Sequence, residues 1–130
     1  MEFNIEKYHL KSSSLFDSLS IAESQLIKEG IIRKEFLKGE CLFKEHSFSK
    51  GVYIIKKGKV KIFQTNSDGK EGIVYIYKKG DYFGYRPLLA EEPHPVSAVA
   101  MDNVIVSFVP KELFLEILET SATLAKELIV

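Results

Sequence analysis

One cysteine, Cys41, stands in a chain of 130 residues, so no internal disulfide can form, and the thiols are too few for an iron–sulfur cluster or a cysteine-rich zinc site. This suits a reducing cytoplasm. An excess of charge of either sign is also missing, because eighteen Lys and Arg balance eighteen Asp and Glu. The chain as a whole therefore exerts no long-range pull on DNA or on an anionic membrane, and neither is expected as a direct partner. Long apolar runs are absent from the N-terminus, where Met1 to Leu10 alternates polar and apolar residues, and this argues against a signal peptide or a membrane span there. Histidine is scarce: His9 precedes the patterned region, and His46 and His94 lie far apart in loop-like stretches, with no close pair to ligate a metal. No nucleophile motif, Walker-type phosphate loop or dinucleotide fingerprint occurs, so neither an enzyme nor a bound cofactor is expected.

What the chain does contain is an ordinary globular composition, 45% hydrophobic and 28% charged, enough to fold residues 1–130 as one unit. Apolar residues at Leu15, Phe16, Leu19, Ala22, Leu26 and Ile27 share one helical face, which predicts an N-terminal helix within 15–30. Ser20 and Glu23 form a capping box, and Gly30 is expected to close the helix in a left-handed conformation. Over 31–109 the pattern changes to short runs rich in Val, Ile, Phe and Tyr. These are separated by turn signals at Lys38-Gly39, Lys57-Gly58, Asp68-Gly69 and Lys79-Gly80. Strands are predicted at Gly51 to Ile55, Lys59 to Gln64, Ile73 to Tyr77, Val96 to Ala100 and Val104 to Val109, with weaker ones around Phe36 and Leu42-Phe43. Such a series favours a mainly β architecture, an antiparallel β-roll of the jelly-roll type with flanking helices. Lys57, Lys59 and Lys61 are expected to alternate along one strand and form a solvated face.

Helical spacing returns over 110–130. Pro110 suits a first helical turn, Leu113, Phe114, Ile117 and Leu118 form a stripe, and Leu124, Leu128 and Ile129 start a second one without a stop signal. The last helix is expected to continue beyond Val130, and its apolar stripe to make the full-length protein a homodimer.

Three segments carry a family resemblance: Lys38-Gly39-Glu40 with Leu42-Phe43; Gly51-Val52-Tyr53-Ile54-Ile55 with Gly58-Lys59-Val60-Lys61-Ile62; and Gly80-Asp81-Tyr82-Phe83-Gly84. With Ala98-Val99-Ala100 and the helix after Pro110, they resemble the cyclic-nucleotide-binding effector domain of Crp/Fnr transcription regulators. The resemblance implies a ligand-sensing domain of a bacterial regulator. DNA would then be bound only by a helix-turn-helix that this chain does not contain. A stand-alone module, or one fused to a kinase, channel or transporter, is the alternative.

In that family a short helix and loop after Phe-Gly form the phosphate-binding cassette. The resemblance assigns this role to Phe83, Gly84, Tyr85, Arg86, Pro87 and Leu88, followed by Val96, Ser97 and Ala98. Family members that bind cyclic nucleotides carry a glutamate after Phe-Gly for the ribose hydroxyl and an arginine before the Ser-Ala pair for the phosphate. Those positions are read here as Tyr85 and Val96, which supply neither group. A small cavity is expected beside Phe83 to Ala90, either empty or occupied by a small-molecule effector of unknown identity that is less polar than cyclic AMP. Arg86 can supply a charge to the cassette or pair with Glu91 or Glu92, and the pairing is the favoured expectation. His94, between Pro93 and Pro95, is expected to face solvent.

Overall fold

The computed structural model describes residues 20–120. Helix α1 spans Ile21–Gly30. Its N-terminus is the capping box read from the sequence: the Glu23 amide donates to the Ser20 hydroxyl at 3.1 Å, and the Ser20 amide to the Glu23 carboxylate at 2.8 Å. Gly30 does not end the helix in a left-handed conformation, since the cap is Ile31 in extended geometry at φ −66°. A Cβ at Gly30 would overlap the end of the Leu113 side chain, so glycine here lets Leu113 keep its position without a shift. The predicted residues 15–19 and 121–130, with Leu124, Leu128 and Ile129, lie outside the described residues.

Eight strands follow: β1 Ile32–Phe36, β2 Cys41–Phe43, β3 Gly51–Lys57, β4 Val60–Thr65, β5 Glu71–Tyr77, β6 Tyr82–Phe83, β7 Ser97–Ala100 and β8 Val104–Pro110. The helices α2, Tyr85–Ala90, and α3, Lys111–Thr120, follow β6 and β8. The strands form two four-stranded sheets, ordered β1-β8-β3-β6 and β2-β7-β4-β5, and every pairing is antiparallel. This is the mainly β architecture that the turn signals and apolar runs predicted. Pro110 does not open a helix. It closes β8 opposite Gly51, where a missing amide costs least, and α3 starts one residue later. Lys57 and Lys59 do not share a strand either, because β3 ends at Lys57 and the turn at Gly58, φ +87°, carries Lys59 across to β4. Lys61 is half-buried and pairs with Glu71 at 2.9 Å.

Two apolar cores result. Between the sheets lie Phe43, Tyr53, Ile55, Ile62, Tyr77, Phe83, Val96, Ala98, Val106 and Phe108 among others. Outside the first sheet, under α1, α2 and α3, lie Ile27, Val52, Tyr82, Tyr85, Leu88, Val109, Phe114 and Ile117. Period-two alternation along β3 and β8 makes the division: Tyr53 and Ile55 point inward and Val52 outward, as Phe108 and Val109 do on the neighbouring strand.

The roll has two unlike ends. At one, four tight connections meet: 37–40, 58–59, 78–81 and 101–103. They are stitched together by backbone bonds from Gly39 to Ala100 at 2.8 Å, Ala100 to Glu40 at 2.9 Å, Met101 to Lys59 at 2.9 Å and Gly80 to Ile55 at 2.9 Å. At the other end lie the loop 44–50, the β4–β5 hairpin, and α2 with its following loop.

The close approach of β3 to β8 gives a contrast between two glycines. A Cβ at Gly51 would overlap the Val109 carbonyl oxygen and press on the Phe108 ring, whereas a Cβ at Gly39 meets open space and only the strain of φ +90° opposes it. Gly51→Ala is expected to cost about 2–3 kcal/mol and Gly39→Ala about 1 kcal/mol, read as shifts of the urea midpoint. Equal shifts would contradict this packing.

Candidate functional site

The segment after β6 is shaped by Gly84, which caps α2 at φ 93° with its Cβ position 3.2 Å from the Gly51 carbonyl oxygen. Both the backbone conformation and the narrow space favour glycine. The buried Ser49 hydroxyl lies 3.1 Å from each of the Gly51 and Gly84 carbonyl oxygens, tying the start of β3 to the start of α2. Phe83, just before, points into the roll. Its ring lies between those of Tyr53 and Tyr77, at centroid distances of 5.5 and 4.9 Å and 11° from parallel to each. The Tyr53 hydroxyl donates to the Leu42 carbonyl at 3.1 Å, and burial pushes its pKa up to about 12, so it remains a neutral donor.

Tyr85 turns the other way. It is fully buried in the outer core with Leu88, Phe114 and Ile117, and Pro87 is buried beside them. Burial raises the Tyr85 phenol above its ordinary value, while the Arg86 guanidinium beside it acts in the opposite direction. Arg86 is half-buried, with a buried Nε that has no partner. Among the described residues it forms no ion pair, so the expected pairing with Glu91 or Glu92 does not occur. The helix ends at Glu91 in a left-handed conformation, φ 55°, and both glutamates are exposed.

Val96, Ser97 and Ala98 run into β7 and are all buried; the Ser97 hydroxyl accepts from the Glu45 amide at 2.9 Å. The residue misjudged from sequence is His94. It is 2% exposed, not solvent-facing, and its ring lies flat on Phe43 at 3.8 Å. Its backbone is clamped to the facing loop: its amide donates to the Ser47 carbonyl at 2.8 Å, and its carbonyl accepts from the His46 amide at 3.0 Å. Nδ1 has no partner, and desolvation lowers the imidazole pKa to about 4, so the ring is neutral at neutral pH. The flanking prolines signalled a stiff loop, but nothing local in the sequence shows which way the ring between them turns. Val96 offers no charge, and His94 is the titratable side chain of this loop that turns inward.

At the same end a groove of about 430 Å³ opens between the 44–47 loop and the β4–β5 hairpin, lined in part by Glu45, Gln64, Thr65, Lys70 and Glu71. It is not bounded by Phe83 to Ala90. The Glu45 carboxylate accepts from the Thr65 amide at 2.7 Å, and the Gln64 side chain donates to the Pro95 carbonyl at 3.0 Å, so the groove adjoins the loop that carries His94. Among the described residues no three His, Cys, Asp or Glu side chains are grouped to hold a metal ion.

Two facing antiparallel sheets, interrupted at one end by a short helix and loop and backed by helices, form a β-roll. The family model for the cyclic nucleotide-binding domain matches residues 33–121, and the chain belongs to this family, whose domain is regulatory and not catalytic. The cGMP-dependent protein kinase of Plasmodium berghei is 29% identical over 100 residues, 77% of this chain and 11% of the kinase. The cyclic AMP receptor protein of Thermus thermophilus is 27% identical over 119 residues, 92% of this chain and 55% of that protein. The crystal structure of the Thermus thermophilus catabolite activator protein matches with a TM-score of 0.80 at 26% identity, over 90% of this chain and 55% of that one. The chain thus spans about half, or far less, of the length of these relatives.

Burial of His94 has a pH signature. Its folded pKa of about 4 lies below the ordinary 6.5, so the unfolded chain binds the extra proton first, and stability present above pH 6.5 is lost as the pH falls toward 4. The expected loss is on the order of 2–3 kcal/mol. Urea unfolding across this window should show the decline in the wild type and a flatter profile in His94→Phe, which keeps a ring on Phe43 but has nothing to protonate.

Proposed function

We propose that this chain is the effector-sensing domain of a Crp/Fnr-type transcription regulator and that it does not take cyclic AMP in the usual way. One observation carries the reading: Tyr85 and Leu88 of the cassette share a single apolar core with Ile27 of α1 and with Phe114 and Ile117 of α3. An effector that moves α2 must repack that core, and α3 leads directly into the C-terminal segment that would reach a DNA-binding domain. Transmission by contact between packed helices requires only that the two arrangements differ in affinity for the effector. The Thermus thermophilus relative, matched over 92% of this chain, supports the regulator class. In this reading the homodimer forms through the C-terminal segment, the domain works in the cytoplasm, and DNA is bound only by a separate helix-turn-helix.

The departure from cyclic AMP rests on the side chains of the cassette. A cyclic phosphate needs a fixed positive charge, yet Val96 is apolar, His94 is neutral, and Arg86 lies beside the Tyr85 hydroxyl. No carboxylate follows Gly84 to accept from a ribose, because that position is filled by the buried Tyr85. Phe83 and Ala98 are packed inside the roll, so a less polar effector would have to displace their neighbours to reach them. A regulatory module of a kinase is the second reading, favoured by the Plasmodium berghei relative.

Titration calorimetry is expected to show cyclic AMP and cyclic GMP binding no tighter than about millimolar, equivalent to roughly −4 kcal/mol. Micromolar binding would overturn the claim. His94→Arg, which sets a permanent cation in the same loop, is expected to tighten cyclic AMP binding about tenfold or more, the weight of one charge-assisted contact.

A further inference from the structure

The end of the roll opposite the cassette carries charge that the neutral total conceals. Lys38, Lys56, Lys57, Lys59, Lys78 and Lys79 stand in or beside three of its four connections, all are exposed, and none forms an ion pair among the described residues. This is a third of the chain's basic residues. Three carboxylates share the end and leave the lysines in excess by three; each is held at a turn amide, Glu40 accepting from Leu37 at 2.6 Å, Asp81 from Lys78 at 2.9 Å and Asp102 from Lys59 at 2.9 Å. The same device occurs twice. In 37–40 and 78–81 the fourth amide bonds back to the first carbonyl, and a glycine at φ +90° or +95° holds the third position, as in a type II turn. Lysine therefore occupies the outermost corner of each turn. Lys57 likewise precedes Gly58, φ +87°. Leu37, 65% exposed, and Met101, 37% exposed, stand among these lysines.

We propose that this end is a docking surface for an anionic membrane, with the lysines set against lipid headgroups and Leu37 and Met101 entering the interface. Lysines near a negatively charged leaflet add attraction residue by residue, and an aliphatic side chain at a rigid tip adds apolar burial. Nucleic acid fits less well. The turns hold no arginine to fork onto a phosphate or a guanine, and no exposed ring for a base to stack on. No helix among the described residues is long and apolar enough to cross a membrane, so the contact is peripheral. The surface lies away from the cassette, and the effector site stays open while it is engaged.

Flotation of the 130-residue chain with vesicles of phosphatidylcholine alone, and of an equal mixture of phosphatidylcholine and phosphatidylglycerol, tests this. The chain should float only with the anionic vesicles, less so as salt rises. The triple variant Lys38→Glu, Lys57→Glu, Lys79→Glu should lose at least about tenfold in binding, and Leu37→Asp several-fold. The triple variant Lys28→Glu, Lys50→Glu, Lys111→Glu, reversed away from this end, should bind like the wild type, and thermal melting should show all variants folded. The proposal is overturned if the wild type fails to float or if reversal of Lys38, Lys57 and Lys79 leaves flotation unchanged. Flotation that survives Leu37→Asp, together with retention of the wild type by duplex DNA at the same salt, also overturns it and assigns the lysines to nucleic acid.

Discussion

Alternation along the paired strands β3 and β8 is the constraint on which the rest of this structure depends. Adjacent residues on these strands serve different cores: Tyr53 and Phe108 fill the roll, while Val52 and Val109 support the helices. A slip of one residue in their register would exchange both sets and dissolve both cores at once. The tolerance is small, because Gly51 lies against the Val109 carbonyl and the Phe108 ring with no room for a methyl group. The α2 segment inherits its position from this pair, since β6 adds to β3 through Tyr53–Phe83 and Ile54–Tyr82, and α2 follows directly.

Much of the fold was legible because its signals are local. The capping box at Ser20 and Glu23 needs four residues, and the Lys-Gly turns announce their own geometry through a residue that alone tolerates positive φ without strain. The short helix Tyr85–Ala90 does follow Phe83-Gly84, but the directions in which the side chains around it turn were not readable. Tyr85 turns outward and His94 inward because of partners far away in sequence: Phe114 and Ile117 for the first, Phe43 for the second. The two-residue strand β6 was missed for the same reason, since Tyr82-Phe83 is a strand only by virtue of lying beside β3. Gly30 shows a local rule losing to packing, as its conformation is ordinary and its lack of a side chain is what admits Leu113.

Net charge misleads in a similar way. A balance of eighteen against eighteen describes the far field of the molecule, whereas a partner in contact meets only what lies within a Debye length, about 8 Å at physiological salt. A β-roll sorts its connections to two ends by topology, and alternate turns fall together however distant they are in the chain. Lysines that precede glycine in three of these turns are therefore neighbours by construction, while the glutamates at 91 and 92 leave toward the opposite end.

The Ser49 hydroxyl faces two carbonyl oxygens at equal distance, those of Gly51 and Gly84, and has one proton to give. At any instant one of the two goes without that bond, and rotation about a single side-chain torsion moves the proton between them. The fastening of α2 to β3 is thus a shared one, on for part of the time and transferable without breaking any backbone contact. The apolar packing of Tyr85 and Leu88 holds α2 in place, and the serine sets only which carbonyl receives its proton. Whatever offers the Gly84 carbonyl a second donor leaves the serine free to serve Gly51 alone, so the satisfaction of the α2 cap and that of the start of β3 are linked through one proton.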